Sequence, residues 1–75
     1  MSTRSKIELI IGTATDVMVD KLMREYNATY EWAFAFVLGS KTYQRMLQDE
    51  HFRSESPLYL YQFLQKELTP SQTRT

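Results

Sequence analysis

One histidine, no cysteine and two glycines leave few ways for this chain to do chemistry. Acid–base or nucleophilic catalysis needs titratable groups converging on a pocket, commonly with His carrying the proton. His51 follows Asp49 and Glu50 directly, but adjacent side chains diverge, and a metal site draws three or four ligands held by a scaffold. His51 therefore reads as a solvated loop residue. Gly39-Ser40-Lys41-Thr42 matches only the end of a P-loop, without the upstream glycine or a preceding strand. Asp16 and Asp20 share a helix face four residues apart, with Lys21 and Arg24 to balance them, and read as a solvated face. No catalytic, metal-binding or cofactor-binding residue is assigned, and an enzyme is not expected.

Two patterns suit a macromolecular partner. Ala35 and Gly39 stand where a helix–turn–helix places its small residue and turn glycine, and the next helix displays Lys41, Gln44, Arg45 and Gln48. Arg can read guanine and Gln adenine. However, the motif wants an apolar residue at position 45, and nine Lys plus Arg against nine Asp plus Glu leave little net charge for phosphate contacts. The second pattern is a looser apolar strip on the first helix, Leu9, Gly12, Val19, Met23 and Tyr26, opposite its main stripe. Together with Tyr30 and Tyr59 it supplies the aromatic and methionine anchors that interface cores favour. A mid-helix glycine costs about 1 kcal/mol relative to Ala, and so suggests the approach of another backbone at position 12.

The elements that carry these residues follow from periodicity and capping. Ser5 and Glu8 form an S-x-x-E capping box, and Ile7, Ile10, Ile11, Ala14, Val17, Met18 and Leu22 trace one stripe of a helix from about Lys6 to Tyr26. Asn27 ends that helix or caps the next, expected over Ala28 to Leu38. Its apolar run Trp32 to Leu38 reads as a central buried helix. The same run also alternates as a strand would, but only Tyr59 to Tyr61 offers a companion strand. Gly39 is expected as a left-handed stop and Ser40 as the cap of a third helix, Lys41 to Gln48, with Tyr43, Met46 and Leu47 on one face. Asp49 to Glu55 reads as a loop anchored by Phe52. Ser56-Pro57 starts a helix that runs to Leu68, with Leu60, Tyr61, Phe63, Leu64 and Leu68 as its stripe.

Seventy-five residues make one core, and a core this small leaves a thin stability margin that self-association often offsets. An apolar fraction of 43% and ten aromatics exclude a disordered chain. Absence of cysteine gives no sign of an oxidising compartment, and no apolar run suits a signal peptide or a spanning helix. A cytoplasmic protein is expected.

Ser40-Lys41-Thr42-Tyr43, then Leu47, Asp49 and Glu50, then Ser56-Pro57-Leu58-Tyr59-Leu60-Tyr61 with Leu64, Glu67 and Leu68, resembles a group of short bacterial helical proteins from operons that look like toxin–antitoxin modules. The resemblance covers about residues 28 to 68. It implies a bacterial or mobile-element protein that acts by binding, as the neutralising or accessory member of a pair, and it brings no catalytic residue. A phage-encoded inhibitor of a host enzyme would share the same small size.

The sequence thus predicts an all-α fold, a compact bundle of three to four helices in a single domain over 1–75, with flexible ends at 1–4 and 70–75. It predicts a non-enzymatic protein–protein interaction module, homo-oligomeric, with no cofactor and no membrane. The alternative is a helix–turn–helix DNA-binding regulator.

Overall fold

The structure, a computed structural model, describes residues 3–68 and is all helix, with no strand among them. Five helices follow in order: α1 (Thr3–Tyr26), α2 (Tyr30–Leu38), α3 (Lys41–Gln48), α4 (Glu50–Arg53) and α5 (Pro57–Leu68). Ser5 stands inside α1 rather than at its cap, because the helix already runs at Thr3. The same shift puts Thr3 and Arg4 in the helix instead of a frayed end. Residues 70–75 lie outside the described residues.

Each junction has a local cause. Asn27 adopts φ 53°, and the N–H of Ala28 reaches back to the Met23 carbonyl at 3.2 Å, the six-to-one bond of a Schellman stop. Asn27 thus ends α1, and Thr29 caps α2 by accepting the Trp32 N–H at 3.1 Å. Gly39 closes α2 at φ −91°, ψ 0°, so the expected left-handed glycine is absent; an added Cβ would meet only the Ala35 carbonyl oxygen, at 3.4 Å. Buried Ser40 works twice, donating to the Val37 carbonyl at 2.7 Å and accepting the Tyr43 N–H at 3.0 Å. The segment after α3, read from sequence as a loop, contains the one-turn helix α4, because Asp49 accepts the Phe52 N–H at 3.1 Å and nucleates it. Ser56 caps α5 through the Tyr59 N–H at 3.2 Å.

The central helix is α1, against which α2, α3 and α5 pack. It contributes Ile11, Ala14, Met18, Val19 and Leu22 to a core completed by Ala33 and Val37 of α2, Met46 of α3, Phe52 of α4, and Leu60, Tyr61 and Leu64 of α5. The buried face of α1 is rotated toward the strip expected to be exposed: Ile10 is exposed, and Val19 is only 4% exposed. α2 is a peripheral helix that buries one ridge, contrary to the central position its apolar run suggested. No helix among the described residues is long and apolar enough to cross a membrane.

Candidate functional site

A nine-residue helix lying against one face of a longer one can hide only the ridge it turns inward. In α2 that ridge is Ala33 and Val37, four residues apart. The flanking ridges are aromatic. On one side Tyr30, Phe34 and Leu38 follow at the same spacing, all exposed, with the first two rings stacked at 5.6 Å and 16°. On the other, exposed Trp32 stacks on half-buried Phe36 at 5.3 Å and 13°.

Phe34 and Leu38 of the first ridge form one bank of a groove of about 290 Å³ between α1, α2 and α3. Ile11, Gly12 and Thr15 line it from α1, Phe34 and Leu38 from α2, and Tyr43 and Leu47 from α3. Leu47 is 49% exposed although it shares a helix with buried Met46. A Cβ placed on Gly12 would meet nothing within 4 Å, so the glycine faces open space. Thr15 is 5% exposed, and its hydroxyl has no hydrogen-bond partner. The charged residues of the lining are Glu8 and Asp16, both on α1 and both exposed. Such a surface can receive apolar side chains; it presents no nucleophile with an adjacent base.

The seven residues expected at a protein interface divide among several surfaces. Gly12 lies in the groove and Tyr30 on the ridge beside it. Leu9, 68% exposed, belongs to another hollow, with Ile10, Arg53 and Pro57. Tyr26 is exposed at the end of α1, and Tyr59 is exposed on α5, edge-on to Phe63 at 5.2 Å. Val19 is a core residue, and Met23 packs half-buried against the core. The rotated packing face of α1 withdraws Val19 from the surface and leaves Met23 partly exposed. Phe34, Leu38 and Leu47 were missed as surface residues. A helix as short as α2 and apolar all round cannot be enclosed on every side by a chain of this length, and that mismatch was the available signal.

The four residues that would read DNA, Lys41, Gln44, Arg45 and Gln48, are all exposed on the outer side of α3. The side chain of Arg45 is committed elsewhere. Arg45 lies over the Phe52 ring at 4.1 Å and pairs with Asp49 at 3.6 Å. The first backbone amides of α3, those of Lys41 and Thr42, donate to the Glu67 carboxylate at 3.0 and 2.9 Å. An anion thus already sits where a recognition helix would approach a phosphate-lined groove.

Among the described residues no group of three or more His, Asp or Glu could hold a metal ion. His51 is exposed on α4. Asp20 pairs with Arg24 at 3.1 Å, as a solvated helix face would. Two groups are electrostatically shifted. The Phe52 N–H, assisted by Arg45, holds the Asp49 carboxyl below its ordinary value. Burial, with Glu25 accepting its proton at 3.0 Å, pushes the Tyr61 phenol well above the usual tyrosine range.

Comparison of the chain with protein-family models, with curated proteins and with solved structures finds no match.

Proposed function

We propose that this chain is a non-enzymatic protein–protein interaction module, a cytoplasmic regulatory, inhibitory or antitoxin-like partner of another bacterial or phage protein. The observation that carries this reading is the apolar groove edged by Phe34, Leu38 and Leu47, three large side chains left in water around a hollow that contains a glycine. Contiguous exposed apolar surface of this kind marks interaction sites far more than scattered single residues do. Helices α1, α2 and α3 form a three-sided cradle of the sort that receives the apolar face of a partner helix. Self-association falls to the opposite ridge of α2, Trp32 with Phe36. The DNA-binding alternative has less support, since Glu67 occupies the start of α3 and Arg45 is held over Phe52.

Affinity capture from the native cell tests this reading, with the Phe34→Ser variant as control. One protein recovered at stoichiometric yield by the wild type and lost with the variant is the expected result. Recovery of promoter DNA alone, or identical recovery by both chains, contradicts it.

A further inference from the structure

Helix α2 has a second unpartnered surface, its outer face. Opposite the buried pair Ala33 and Val37, helical spacing puts Glu31, Ala35 and Gly39 in one row, four residues apart and all exposed. Trp32 and Phe36 rise on one side of that row, Phe34 and Leu38 on the other, so two small residues floor a channel between bulky walls. Nothing within the monomer calls for glycine at 39: its φ is −91°, and an added Cβ would make ordinary contact with the Ala35 carbonyl oxygen at 3.4 Å. The helix bears one charge, Glu31, and no cation, so it has nothing to offer a phosphate backbone or an anionic membrane.

Knob and hole on the same helix make this face complementary to itself. Positions 32 and 39 lie equally far from the midpoint between Ala35 and Phe36. Two copies of α2 laid antiparallel about a two-fold axis at that midpoint set each Trp32 over the Gly39 of the other copy, and Ala35 beside the axis lets the backbones close. The two Glu31 carboxylates then stand about 13 Å apart along the helices. A parallel pair would instead press them together, set Trp32 against Trp32 and leave a gap between two glycines. The area also suffices. Tyr30, Trp32, Phe34 and Leu38 keep 36 to 53% of their surface exposed. At roughly 200 Å² per large side chain they offer about 350 Å² per copy, and the row between them raises this to about 500 Å². Two copies would bury about 1,000 Å², the least that a specific interface needs. Resting on the self-association read above for Trp32 and Phe36, we propose that this chain forms a two-fold dimer through antiparallel α2 helices, with Trp32 of each copy seated on Gly39 of the other.

Sedimentation equilibrium and the emission of Trp32, the single tryptophan, test this on the full chain. The wild type should dimerise with a dissociation constant in the micromolar range, and its emission should move to the blue along the same curve. Ala35→Arg brings two cations to the axis, and Gly39→Leu fills the hole; each should raise the dissociation constant about tenfold or more, with circular dichroism checking that the variants are folded. The chain has no cysteine of its own, so single cysteines report the geometry. Ala35→Cys should cross-link about tenfold faster than Glu31→Cys, because a disulfide joins Cα atoms no more than about 7 Å apart. A wild type that stays monomeric up to about 1 mM overturns the proposal, as does a dimer indifferent to both substitutions or one that Glu31→Cys cross-links faster. Partner capture, read with Phe34→Ser, separates the two readings. A monomeric wild type that still captures its partner overturns the dimer alone, whereas a dimer of the expected geometry that captures nothing supports the dimer and contradicts the groove.

Discussion

The Glu67 carboxylate of α5 accepts the backbone N–H of Thr42 at 2.9 Å and its hydroxyl at 2.6 Å, so one side chain closes the start of α3 from 25 residues away. The third bond, from the Lys41 N–H, goes to the other carboxylate oxygen. An anion at a helix N-terminus is favoured both by the orphan amides and by the macrodipole. Glu67→Ala should lower stability by about 1 to 2 kcal/mol and Thr42→Val by about 1 kcal/mol. The two losses should fall short of additive in urea unfolding, because both remove the same bond. Strict additivity would mean that the cap contributes nothing as a unit.

Asp49 gives the fold a dependence on acid. Its carboxyl is held below the ordinary value of 3.8, first by the Phe52 N–H and then by Arg45. A carboxyl lowered in the folded state contributes stability that is fully present above that ordinary value and is lost as pH falls through the lower folded one. The urea midpoint of the wild type should therefore fall toward that of Asp49→Asn as the solution is acidified below pH 3.8. Parallel midpoints across that range would contradict the shift.

Tyr61 acts in the opposite sense. Burial and its bond to Glu25 keep the phenol protonated above the ordinary value of 10.0. Its contribution is complete below that value and is lost as pH rises through the higher folded one. An absorbance titration should show a tyrosine step above that ordinary value, and Tyr61→Phe should remove it. The same variant should cost about 1 kcal/mol near neutral pH through the lost hydrogen bond.

Backbone conformation separates Asn27 from Gly12. Asn27 lies at φ 53°, so Asn27→Val should cost about 1 to 2 kcal/mol, whereas Asn27→Gly should be neutral or stabilising. Gly12 sits mid-helix with open space around it, so Gly12→Ala should stabilise by up to about 1 kcal/mol. Thermal unfolding of the three variants checks the order. A destabilised Gly12→Ala would mean that the glycine meets a close neighbour within the monomer.

Legibility of the fold from sequence followed the strength of local signals. Ser40 and Ser56-Pro57 place the starts of α3 and α5 where they are, because a cap acts through a bond three residues away. Longer-range facts were out of reach. The packing face of α1 depends on which neighbours arrive, and that turned Val19 and Met23 inward. In α2 every position from Trp32 to Leu38 is apolar, so the pattern has no phase and does not reveal that Ala33 and Val37 alone are buried. Helix α4 is too short for periodicity to register, and its single anchor Phe52 was the legible part. The groove needs three helices at once, and of its apolar walls only the presence of Gly12 hinted from sequence at an approaching partner.

Binding and stability measured together on Phe34→Ser test the central claim most directly. Phe34 keeps 36% of its surface exposed, so trading it for serine should leave the chain folded, with a melting temperature lowered by about 5 to 10 °C, while binding of the captured partner is lost. A variant that binds as the wild type does, or one that loses binding only because it has unfolded, would contradict the account.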